Sequence, residues 1–122
     1  MLMKPVIALS AALTIGASPV TAQERWTQVF SDSAEAVSID ANSVTSLGDS
    51  VYRVWERSVS LPSNEVGVLA RADFDCRLRL TRLVAVTLPG YAPVAASEND
   101  REWGEIVPGS SQEAELRQVC GR

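Results

Sequence analysis

The chain has 122 residues, one ordinary domain's length, with 11 basic and 15 acidic residues, a formal charge of −4 and no histidine. The missing histidine removes the usual general base and the commonest metal ligand, and two cysteines argue against a zinc site. An acidic chain whose sole lysine is Lys4 is a poor match for a phosphate backbone, so neither nucleic acid nor a cofactor is expected.

Met1–Lys4 is short and basic, Val6–Ile15 is apolar, and small residues follow to Val20-Thr21-Ala22. This pattern predicts a secretory signal peptide over 1–22, too short to anchor in a bilayer, and a single domain over 23–122. The leader holds no cysteine, so no lipid anchor is expected at the cleavage point. Residues 23–122 carry ten arginines and all 15 acids, and contain no apolar run able to span a membrane. The protein is therefore expected in the periplasm, secreted, or at the cell surface.

Export puts Cys76 and Cys120 in an oxidising compartment, where one intramolecular disulfide is expected. Closing a loop of about 44 residues would stabilise the fold by roughly 4 kcal/mol on chain-entropy grounds. A redox role has little support, because there is no C-x-x-C and neither cysteine has a neighbouring lysine or histidine to lower its pKa.

Trp26–Phe30 and Ala34–Ile39 read as neighbouring strands joined by Ser31-Asp32-Ser33. Asp40–Ser43 suits a turn or 3₁₀ bend, and Gly48-Asp49 opens another turn. Val51–Val59 is a strand rich in β-branched and aromatic residues, broken by Leu61–Asn64. From Val66 to Leu80 the apolar residues Val66, Val68, Ala70, Ala72, Phe74, Cys76, Leu78 and Leu80 alternate with Arg71, Asp73, Asp75, Arg77 and Arg79. Such alternation predicts one long strand, bent or bulged near Asp75–Arg77, with one buried and one wet face. Beyond Leu80 the parity blurs. Leu88–Tyr91 is a turn, Tyr91–Ala96 a last strand, and Ser97–Glu102 a polar loop.

Ser110 can cap a helix, and Glu113 completes a capping box. Leu116, Val119 and Cys120 then share one helix face. Cys120 on that face and Cys76 on the apolar parity of the strand point to a C-terminal helix stapled to the buried side of a curved antiparallel sheet, an α+β fold.

Several residues invite a chemical reading. Asp73 and Asp75 would lie roughly 6.5–7 Å apart along a strand, within the range of glycosidase carboxylate pairs. The arginines on the same parity instead favour a solvated mixed-charge row. Ser110 has no base to activate it, so capping accounts for it. Trp26, Trp55 and Trp103 are expected mainly in the core, although exposed they would make a contact surface. Arg77, Arg79 and Arg82 do not share one plane, so a solvated rim is expected rather than an anion site.

Trp26, Ser38-Ile39-Asp40 with Val44, and Val51–Trp55 form one block. Phe74-Asp75-Cys76, Gly90-Tyr91, Trp103–Ser110 and Val119-Cys120 form another. Together they resemble the surface-adhesin protein E-like family of Gram-negative envelopes across nearly the whole of 23–122. The resemblance implies a curved antiparallel sheet of about five or six strands with the helix on its concave face. It also implies a non-enzymatic envelope protein that binds a protein partner, and a homodimer. The alternative is a small periplasmic hydrolase inhibitor, using Pro62–Glu65 or Ser97–Glu102, or a hydrolase using Asp73 and Asp75.

Overall fold

A computed structural model describes residues 25–121. The expected signal peptide, 1–22, lies outside the described residues. The chain forms β1 (Trp26–Ser31), β2 (Glu35–Asp40), a 3₁₀ turn (Ala41–Ser43), β3 (Thr45–Gly48), β4 (Val51–Ser60), β5 (Val66–Asp75), β6 (Leu80–Thr87), β7 (Val94–Ala95), β8 (Gly104–Glu105) and α1 (Ser111–Cys120). All pairings are antiparallel, in one open eight-stranded sheet of order β1-β2-β4-β5-β6-β7. β3 pairs with the start of β4, and β8 with the start of β6.

The α+β architecture holds, with more strands than expected because both flanks are interrupted. β2 and β3 pair with the same β4, separated by the 3₁₀ turn. There the Asp40 carboxylate accepts from the Asn42 N–H, while the Ser43 hydroxyl donates to the Asp40 carbonyl and accepts from the Trp55 N–H. On the far flank, the strand expected over Tyr91–Ala96 shrinks to two-residue β7, and an unexpected two-residue β8 follows the polar loop. The loop between them is tied to β6 where the Leu83 N–H donates to the Asp100 carbonyl.

The long alternating segment divides into two strands. β5 stops at Asp75, Cys76–Arg79 turns, and β6 returns from Leu80. Asp75 makes this turn without glycine or proline: its carboxylate accepts from the N–H groups of Arg77 and Leu78 at 3.0 and 2.9 Å. Arg79 takes a positive φ of 58°, and its N–H closes onto the Asp75 carbonyl.

Helix α1 begins as its sequence dictates. The Ser110 hydroxyl accepts from the Glu113 N–H. The return bond of Glu113 reaches the Gly109 N–H, one residue before the cap. The helix packs on β1 and β4. Its Leu116 and Val119 join Ile39, Val54, Ala72 and Phe74 in the buried core. The Cys76–Cys120 disulfide fastens the last turn of α1 to the end of β5. Among the described residues no helix is long and apolar enough to cross a membrane.

Candidate functional site

The sheet face away from α1 is where the structure departs most from sequence expectation. Register sets Trp55 opposite Arg71, and Asp73 between Arg53 on β4 and Arg82 on β6. None of the three tryptophans belongs to the helix–sheet core. Each is stacked with arginine instead. The Arg25 and Arg57 guanidinium carbons lie 5.1 and 4.7 Å from the Trp26 ring centre. Arg71 lies 4.9 Å from that of Trp55, and Arg82 4.2 Å from that of Trp103. The ring quadrupole attracts the cation, and the arginine stem covers apolar ring surface that would otherwise meet water.

Asp73 holds the centre of this face. Expected on a solvated row, it is fully buried. Arg53 grips it in a fork, Nε at 2.7 Å from Oδ1 and Nη2 at 3.1 Å from Oδ2, while Arg82 Nε donates to Oδ2 at 2.9 Å. Burial alone would raise the Asp73 carboxyl. The hydrogen bonds and charges of Arg53 and Arg82 outweigh it and hold the group below its ordinary value. Asp75 is buried as well, its carboxylate engaged by the turn. The two acids therefore do not form a solvated row, and both are committed to structural bonds.

Arg77, Arg79 and Arg82 do not share one plane, but Arg82, whose parity put it on the apolar side and which was expected at a solvated rim, lies on the face of Asp73 and clamps that acid. Arg77 and Arg79 are in the β5–β6 turn, where Arg79 meets Glu113 at 3.4 Å, and Arg82 is on the sheet face.

Trp26 and Trp55 line an open trough of about 450 Å³ together with Arg25, Arg57, Val66, Leu69, Thr87 and Pro93. A second depression of about 200 Å³ shares Val66, Leu69 and Thr87 and continues to Leu88 and Tyr91. Tyr91 is 74% exposed, and Val94 and Leu88 are also exposed. Among the described residues no carboxylate lines either depression. Arg25 is paired with Asp40 at 2.7 Å, but Arg57 and Arg71 have no ion pair among the described residues.

Parity could have found this surface. Arg53, Trp55 and Arg57 alternate with Tyr52, Val54 and Glu56 along β4, so Trp55 belongs with the arginines and not with core Val54.

The opposite face hides another buried acid that sequence reading missed. Glu115, 2% exposed, faces the sheet from α1. Burial above all, then a hydrogen bond with Glu56 and the charges of Glu56 and Glu35, push its carboxyl up to about 11. Its Oε2 has no hydrogen-bond partner. No group of three or more acids or cysteines arranged to hold a metal occurs among the described residues.

Comparisons with family models, with curated proteins and with solved structures return no match.

Proposed function

We propose that this chain is an exported, non-enzymatic binding domain of the surface-adhesin protein E-like type, and that it takes a protein partner on its tryptophan–arginine face. The carrying observation is the open trough, where Trp26, Trp55 and Arg57 adjoin the exposed apolar residues Leu88 and Tyr91. Stacked tryptophan and arginine are the side chains most enriched at the energetic centres of protein interfaces. A disulfide between Cys76 and Cys120 is compatible with an oxidising compartment. The hydrolase alternative loses its support, since Asp73 is clamped by two arginines and Asp75 by a turn.

Site-directed photocrosslinking in a Gram-negative envelope tests the proposal. A photoreactive residue at Leu69, in the trough, should yield a discrete protein adduct, whereas one at exposed Gln118 on α1 should not. An adduct of twice the chain's own mass would identify the partner as a second copy. Absence of any adduct from Leu69 would overturn the reading.

A further inference from the structure

We infer that the tryptophan–arginine face recognises an extended peptide segment combining carboxylates with apolar side chains, the carboxylates meeting Arg57 in the trough and Arg71 on Trp55 beside it, and the apolar groups lying along Leu69 and Tyr91. This rests on the protein-binding reading and names the chemistry of the partner.

The argument begins from charge. The chain has a net charge of −4, and Arg25, Arg53, Arg79, Arg82 and Arg117 each meet a carboxylate. Arg57 and Arg71 do not, among the described residues, although both are half-buried. Two partly desolvated cations have thus gathered on one surface, Arg57 in the trough and Arg71 on Trp55 at its side, with no acid lining the trough among the described residues. An incoming carboxylate would supply the missing charge.

Their geometry suits a carboxylate. Arg57 is held on Trp26 and Arg71 on Trp55, so each guanidinium is fixed in place with little rotamer entropy left to lose. Among the described residues the Arg57 Nε is buried without an acceptor, so contact with a ligand falls to the other two nitrogens of that group. A stacked guanidinium offers its donors in the plane of the fork, the arrangement that matches the two oxygens of a carboxylate.

Spacing selects an extended chain. Trp55 pairs with Arg71 and Arg57 with Leu69, so Arg57 and Arg71 are diagonal neighbours on adjacent strands. Diagonal backbone positions are roughly 7–8 Å apart, and from them the two guanidinium groups reach Trp26 and Trp55 respectively. Alternate side chains of an extended peptide are roughly 6.5–7 Å apart. The apolar continuation past Leu69 to Leu88 and Tyr91 then takes the next side chain on the same face. An acyl chain is less suited, because an open trough would leave much of its methylene surface in water.

Trp26 and Trp55 provide the readout. Purified 23–122 is titrated, following tryptophan fluorescence, with a blocked heptapeptide whose alternate residues are leucine and glutamate, with threonine between. The glutamine counterpart and phosphatidylglycerol vesicles are titrated in parallel. The glutamate peptide should bind saturably, weaken with salt, and bind at least about tenfold tighter than the glutamine peptide, the worth of one charge-assisted hydrogen bond. Arg57→Gln and Arg71→Gln should each weaken it by about tenfold, whereas Arg77→Gln, in the distant turn, should not. Equal binding of the two peptides, or unchanged binding by both the Arg57 and the Arg71 variants, overturns the inference. Binding to vesicles without binding to the peptide overturns it in favour of a lipid. If a variant fails to fold, the two peptides on the unaltered protein decide. A Leu69 crosslink that persists while the glutamate peptide fails to bind would leave the protein-binding reading standing and remove only this inference.

Discussion

Glu115→Gln replaces a buried acid by a neutral side chain of the same shape. In the unfolded chain Glu115 ionises near its ordinary value of 4.5, whereas folded it is raised to about 11 by burial and by Glu56 and Glu35. Below the unfolded value both states are protonated and the group costs nothing. Above it the folded state must keep a proton that the unfolded state releases, and stability falls by about 1.4 kcal/mol per pH unit. By neutral pH the cost is roughly 3 kcal/mol. Glutamine titrates in neither state, and its amide can donate to Glu56. The variant should therefore exceed the parent by roughly 2–3 kcal/mol near neutrality, a rise in Tm of at least about 10 °C for a domain of this size. Near the unfolded pKa the gain should vanish. Urea unfolding of both proteins, disulfide intact, at mildly acidic and mildly alkaline pH measures this. A difference that stays constant with pH, or a variant less stable than the parent throughout, would refute the account of Glu115 as a protonated buried acid.

Asp73 responds to pH in the opposite sense. Its lowered carboxyl contributes stability above its ordinary value of 3.8 that disappears as the pH falls, so the two acids together should give a mildly acidic maximum in a stability–pH profile. Asp73→Ala leaves Arg53 and Arg82 unpaired; because both are about one-third exposed and can rehydrate, the loss should be near the lower end for a broken buried pair, about 3 kcal/mol in urea unfolding. Cys120→Ser should cost roughly 2–4 kcal/mol, and amide exchange should quicken first in α1. Two free thiols in the purified parent would contradict the staple. Ser110→Ala removes the bond to the Glu113 N–H and should cost about 1 kcal/mol, read as a lowered Tm.

Local chemistry was enough to locate several of the chain's elements. Ser110 and Glu113 specify a helix start from neighbouring residues alone, and the structure caps α1 as expected. Alternation and turn residues likewise located β1, β2 and β4, and two cysteines without a metal partner left one pairing. The error at β5 has a simple origin. Cys76 and Leu78 carry the alternation on through the turn, but a turn of four residues exchanges the faces of odd and even positions, so Asp73 pairs with Arg82 and Phe74 with Thr81, and the parity that blurs beyond Leu80 is that exchange. The turn is made by the Asp75 side chain, without the glycine or proline that would announce it.

Alternation also assigns residues to two faces without saying what covers either. Asp73 was expected to be wet because its parity is charged. It is buried because Arg53 and Arg82 converge from the flanking strands, a contact that exists only once β4, β5 and β6 are in register. Glu115 is buried because Leu116 and Val119 dock α1 on the sheet and carry their neighbour with them. The tryptophans follow the same rule. An arginine stem and guanidinium can shield an indole as a core does, so size and apolarity could not decide where Trp26, Trp55 and Trp103 lie. Parity along β4 separates Trp55 from core Val54 and register sets it against Arg71, whereas the rings of Trp26 and Trp103 meet their arginines only through the tertiary fold.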